Sequence, residues 1–195
     1  MSDDFKYYMA YRQNDDSIPL LIQDADCPGY LYQNVPIEKP TLMRFSLRDP
    51  IPRKPKMADY LISPNSVVSK KIFDVLKRIS IDGIQLLEAI ITGKNEEIFT
   101  EYWAVHIYRV IKCIDTNLSD CSIGKVNISD VETIVLDKEL LKAVPLENRL
   151  VFRLEEDLAY KLFHSSIVEK VMAVAPTGIK FTDIEKWHDG SFFDN

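Results

Sequence analysis

Residues 69–86, SKKIFDVLKRISIDGIQL, lie without a gap on residues 164–181, HSSIVEKVMAVAPTGIKF. Ile72, Leu76 and Ile79 fall on Ile167, Val171 and Val174, and both sets follow the i, i+4, i+7 spacing of one helical face. The spacing predicts an amphipathic helix in each segment. Ser66 or Ser69 in the first, and Ser165 or Ser166 in the second, suit a helix start, because a hydroxyl accepts from a backbone N–H left free in the first turn. Gly83 and Gly178 follow each helix within a few residues, where the chain must turn back and a positive φ costs glycine least. Pro176 opposes further helix in the second segment. Apolar runs at 84–87 and 179–181 follow the glycines, and extended runs at 60–62 and 161–163 precede the helices. Each copy therefore reads strand, helix, Gly turn, strand. A connection of that length lets the two strands lie parallel in one sheet with the helix packed across them. No further glycines and no lysine of a phosphate-binding loop surround either corner, so both glycines are read as structural.

Between the copies, Trp103, Val105 and Ile107 alternate with Tyr102, Ala104 and His106, the period of a half-buried strand. Residues 110–114, 131–137 (VETIVLD) and 150–154 (LVFRL) read as further strands, KELLKAV as a short helix stopped by Pro145, and FKYYMAYR as a strand at the start. The expected fold is α+β: a mixed sheet carrying two repeated strand–helix–Gly turn–strand units and few helices. A length of 195 residues with 46% hydrophobic and 28% charged side chains supports a sizeable core without disulfide staples. Pro50, Pro52 and Pro55 crowd the basic stretch RFSLRDPIPRKPK, which reads as an exposed connection between a strand-and-loop region, 1–56, and a core, 57–195.

Charge narrows the function. A formal net charge of -6 and a pI near 5.1 argue against nucleic acid, whose phosphates need a concentrated basic face, and leave room for a basic protein partner. The acids Asp15, Asp16, Asp24 and Asp26 cluster in the turn-like stretches QNDDS and QDADCPG and are the candidate partner contacts, with Tyr30 and Tyr32 nearby as either interface anchors or core residues. The first residues carry acids where an export signal needs positive charge, and no apolar run reaches the roughly 20 residues that span a bilayer, so a cytoplasmic protein is expected. Cys27, Cys113 and Cys121 lack the close spacing of a zinc or redox pair and read as buried thiols in a reducing compartment.

No catalytic pattern stands out. His164 sits at a helix start beside Ser165 and Ser166, where capping outweighs nucleophile activation. His188 and Asp189 lie in the polar C-terminal KWHDGSFFDN, read as a frayed tail, and have no spaced partner ligand. No cofactor fingerprint is present, so no cofactor and no metal are expected. An enzyme reading would use His106 with a carboxylate such as Asp115, in a site between the two repeated units.

Taken in order, LISPNSVVSKKIFDVLKRISIDGIQLL, EYWAVHIYRVIKCIDTNLSD, VETIVLDKELLKAVPLENRLVFRL and LFHSSIVEKVMAVAPTGIKF resemble a family of bacterial immunity proteins of polymorphic toxin systems, the eleventh in the usual series. The resemblance covers roughly residues 57–181 plus the initial YYMAYR strand. It implies a non-enzymatic cytoplasmic protein, encoded beside a secreted toxin, that binds and neutralises the toxin domain. It supplies no catalytic residues and no contact residues. A regulatory or scaffold protein without a toxin partner is the remaining alternative, and gene neighbourhood separates the two.

Overall fold

The structure, a computed structural model, describes residues 4–27, 29, 33–63, 65–123 and 128–191. Among these residues the chain forms two larger sheets, a separate hairpin and three α-helices. One sheet has six strands in the order β2 (Leu21–Gln23), β3 (Met43–Leu47), β6 (Ile84–Thr92), β7 (Ile98–Ile107), β5 (Asn65–Ser69), β4 (Tyr60–Ser63). The other has five, in the order β13 (Ile179–Asp183), β1 (Tyr7–Arg12), β12 (Lys161–His164), β11 (Val151–Leu154), β8 (Val110–Ile111). The hairpin joins β9 (Asp120–Ile123) to β10 (Ile128–Thr133). The β3–β6 and β8–β11 pairs are parallel and the rest antiparallel, which makes the fold α+β with mixed sheets. The strand expected at 131–137 begins earlier, at Ile128, and beyond Thr133 only Leu136 bridges back, to Ile114.

Helices α1 (Lys70–Ile79) and α3 (Ser165–Met172) follow the apolar spacing, burying Ile72 and Leu76 on one and Ile167 and Val171 on the other. The third, α2 (Lys138–Lys142), is capped by the Asp137 carboxylate, which accepts from Glu139 N at 2.9 Å and Leu140 N at 3.0 Å. Around α1 and α3 the pairing differs from direct neighbours: β5 and β6 both run antiparallel to β7, and β12 and β13 both run antiparallel to β1. Each helix thus joins two strands that are parallel to each other with a third strand between them. The strand feeding α1 is β5; the expected run at 60–62 belongs to β4, its hairpin partner. Neither serine cap forms as expected. Ser69 sits at the cap position of α1, but its Oγ donates to Asp59 Oδ1 at 2.7 Å instead of accepting from the helix. At α3 the cap is His164, whose Nδ1 accepts from Ser166 N at 3.3 Å.

The helix ends reveal a second left-handed position that composition hides. Ser80 (φ 53°) ends α1 and Ala175 (φ 46°) follows α3, and three residues later come Gly83 (φ 87°) and Gly178 (φ 84°). A Cβ on Gly83 would lie 2.4 Å from Arg109 Cβ; one on Gly178 would lie 2.5 Å from the Tyr60 carbonyl oxygen.

The core between the helices draws on both sheets: Val68, Val105 and Ile107 from the larger, Val151 and Phe163 from the smaller, and the buried faces of α1 and α3. Truncating a side chain such as Ile167 to alanine removes about 2–5 kcal/mol through lost burial and the cavity left behind. Over residues 102–107 both faces of β7 are covered, because Tyr102 and Ala104 pack into a second core with Phe45, Leu87 and Ile91, while residues 98–101 stay largely exposed. The half-buried reading of that strand is corrected accordingly. Asp59 ties the two halves together: its carboxylate accepts from Ser69 Oγ, from Lys71 Nζ at 3.0 Å, and from Thr177 N at 2.8 Å. Beside it, Tyr60 N donates to Thr177 O at 3.1 Å. Of the first 56 residues, β1 enters the five-stranded sheet, β2 and β3 enter the six-stranded one, and Lys56 N donates to Ser17 O at 2.8 Å.

Candidate functional site

The four candidate acids fall at the two ends of β2, an edge strand. Asp15 is engaged locally: its Oδ1 accepts from Ser17 N at 2.9 Å and Ser17 Oγ at 2.6 Å, and Lys56 stands 3.8 Å away. Those hydrogen bonds, foremost the Ser17 hydroxyl, hold its carboxyl below the ordinary carboxylate value. Asp24 accepts from Ser46 Oγ at 2.8 Å, which fastens the turn after β2 to β3. Asp16 and Asp26 are exposed. Between the two pairs, Leu20 and Ile22 stand out from the surface, Ile22 at 52% exposure. The result is a short apolar edge with carboxylates at both ends; among the described residues no hydrogen bond or ion pair links one of the four acids to another. The candidate anchors Tyr30 and Tyr32 lie outside the described residues.

His106 is fully buried on the face of β7 that carries Tyr102 and Ala104. Its Nε2 lies 2.9 Å from the Val35 carbonyl oxygen, an atom that can only accept, so Nε2 carries the proton and donates. Burial lowers its pKa, partly opposed by that hydrogen bond and reinforced by the Arg153 charge, and this favours the neutral ring. Arg153, 5% exposed on β11, donates to Gln33 O at 2.9 Å and to Asn34 Oδ1. Burial depresses its pKa, and burial together with Arg153 pushes Lys161, its register partner on β12, down to about 8. A histidine from one sheet and an arginine from the other therefore pin the same loop, residues 33–35.

The proposed carboxylate partner is elsewhere engaged: Asp115 caps its own turn, accepting from Asn117 N at 2.9 Å and Leu118 N at 3.2 Å. The structure does not pair His106 with it, and among the described residues no carboxylate hydrogen-bonds to either His106 or Arg153. His188 corrects the frayed-tail reading, since it bridges Thr133 and Asp189 N donates to Glu132 O at 3.0 Å. Among the described residues no group of three or more His, Cys, Asp or Glu is placed to hold a metal ion, and no helix is long and apolar enough to cross a membrane.

Sequence reasoning missed both buried arginines. Arg149, 4% exposed, donates through Nε to Val144 O at 2.9 Å and through Nη1 to Tyr7 Oη at 2.5 Å, which anchors β1. The available signal was a guanidinium set inside or beside the apolar run LVFRL, where a charge survives only if satisfied.

The order of these elements has a counterpart among known families. The profile of the Immunity protein family (Imm11) matches residues 9–186, from β1 through the short turn after β13. The chain belongs to this family. The match reaches from the first strand of the five-stranded sheet to the last, so membership of this immunity family covers both sheets and not one motif. A search of curated proteins finds no match to the chain. Family membership associates the chain with toxin immunity in general and with a protein toxin as the kind of partner.

Proposed function

We propose that this chain is a cytoplasmic immunity protein that binds the toxin domain encoded beside it and neutralises that domain by occlusion rather than by catalysis. The observation that carries this reading is the family match across residues 9–186. The surface chemistry supports it. Asp16 and Asp26 flank exposed Leu20 and Ile22, a pattern suited to a basic partner: apolar contact supplies burial, while the carboxylates steer encounter and reject acidic surfaces. A toxin domain acting on an anionic substrate would need basic side chains around it and so present such a surface.

The two strand–helix–strand units are read here as copies of one unit, supported by the left-handed pair Ser80 and Ala175 at equivalent positions three residues before Gly83 and Gly178. Residues 1–56 and 57–195 are read as one folding unit, because β2 and β3 complete the sheet that holds β6 and β7.

Co-expression tests the functional reading. Cells producing the toxin domain should survive only when this chain is present, and the two proteins should purify together. Survival without physical association would point to regulation or enzymatic repair and would sink the occlusion reading.

A further inference from the structure

The outer edge of β6 is only half covered. β3 pairs with residues 89–92, from Met43↔Ala89 to Ser46↔Thr92, and no strand among the described residues pairs with the outer side of 84–88. The chain that would extend β3 backwards peels away: Pro36 and Pro40 lack the N–H a ladder needs, and Gln85 instead holds Ile37 by its side chain, accepting from Ile37 N at 2.7 Å and donating to Ile37 O at 3.1 Å. Where the chain departs, a cleft of about 340 Å³ opens between residues 40–42 and 85–88. A second cleft of about 410 Å³ lies on the other side of the strand, against α1 and Trp103. The two share Leu86 and Glu88, so the concave surface is continuous across the bare edge.

The chemistry of this surface specifies an occupant. Natural sheets protect open edges with proline, lysine or a bulge, and IQLLE at 84–88 has no proline or lysine. Leu86 is half-buried, facing the same side as Trp103, which stacks on Phe73 with ring centroids 3.9 Å apart. Glu88 is exposed beside them and has no ion-pair partner among the described residues. The acidic turn containing Asp24 and Asp26 lies at the start of β3, where Arg44 N donates to Cys27 Sγ at 3.3 Å. Exposed Arg44, opposite Ile90, separates that turn from Glu88, and Lys77 lines the second cleft, so Glu88 is the one carboxylate on the bare edge itself. An extended peptide satisfies all of this at once: its backbone pairs with the edge, an apolar side chain enters the Leu86–Trp103 cleft, and a basic side chain meets Glu88.

Building on the immunity reading, we propose that an extended segment of the cognate toxin domain adds as a strand to β6 along residues 85–88, with an apolar residue against Trp103 and a lysine or arginine against Glu88. The test is calorimetric titration of the toxin domain into the full chain, followed by hydrogen exchange on the complex. One-to-one binding, with one alternate pair of amides within 85–88 exchanging at least tenfold more slowly than in the free protein, is the expected result. Glu88→Lys, a surface change, should weaken binding at least tenfold. Tight binding with unchanged exchange at 85–88 and unchanged affinity of the Glu88→Lys variant would overturn this docking mode and leave the immunity reading standing. No binding by a folded chain would overturn both.

Discussion

The corner after α3 and the corner after α1 make the same turn against different neighbours. At Gly178 the missing Cβ faces fixed backbone, the Tyr60 carbonyl oxygen, and the Ala58 Cβ at 2.6 Å, in the place where Asp59, Tyr60 and Thr177 bind the two sheets together. At Gly83 it faces a side chain, Arg109, on the short link between β7 and β8, and the carbonyl of Gly83 accepts from Tyr108 N at 2.9 Å and Arg109 N at 3.1 Å. The first corner locks two sheet edges together through the Asp59 carboxylate; the second packs on the link that carries the chain from the six-stranded sheet into the five-stranded one, where Arg109 O accepts from Arg153 N at 2.9 Å. Equal φ values therefore do not mean equal energetic consequence.

Gly178→Ala should be the most damaging change, because it adds left-handed strain to a backbone clash that only separation of the sheets relieves: a loss of about 3 kcal/mol or more in urea unfolding. Gly83→Ala should cost less, about 2 kcal/mol, since an added Cβ there meets one atom within 3 Å, Arg109 Cβ, where at Gly178 it meets two. Equal losses would show that strain alone, and not the joint, governs both corners.

Removing the carboxylate at the joint comes next. Asp59→Ala should cost about 2 kcal/mol, as Thr177 N, Thr177 Oγ1 and Ser69 Oγ lose their acceptor. Burial alone would raise the Asp59 carboxyl, but hydrogen bonds from Ser69, Thr177 and Lys71 more than offset it and hold the group below its ordinary value. A folded pKa below the unfolded one, about 3.9, means the contribution is complete above that pH and fades as pH falls toward the folded value. The wild type should therefore lose stability between about pH 5 and pH 3 more steeply than Asp59→Ala, measured by thermal melts across that range.

At the positions just before the glycines the expected sign reverses. Ala175 and Ser80 hold left-handed φ that glycine would adopt without strain, so Ala175→Gly and Ser80→Gly should each stabilise the chain by about 0.5–1 kcal/mol. A loss in one and a gain in the other would separate the two corners further.

Local signals were legible in the sequence and distant ones were not. The apolar faces of α1 and α3 and the positive φ of Gly83 and Gly178 follow from spacing and backbone sterics, and they lie where the chain's own pattern puts them. The identity of the strand between each parallel pair was hidden, because β1 reaches its place between β12 and β13 from the far end of the chain. The same distance hid Asp59: its partners Thr177 and Ser69 make it a hub only once the sheets meet. Among the candidate acids, composition could not separate Asp15 and Asp24, occupied by Ser17 and Ser46, from exposed Asp16 and Asp26.

That division yields the smallest expected effect on stability. Asp16→Asn with Asp26→Asn should change unfolding free energy by no more than about 0.5 kcal/mol, yet flatten the salt dependence of toxin binding. Affinity unchanged at low salt would remove both residues from the contact.

The most direct test of the central claim is to titrate the purified chain into its cognate toxin domain while recording the toxin's activity. Activity should fall linearly and vanish at one equivalent. Full activity at a large excess of folded protein would contradict immunity by binding.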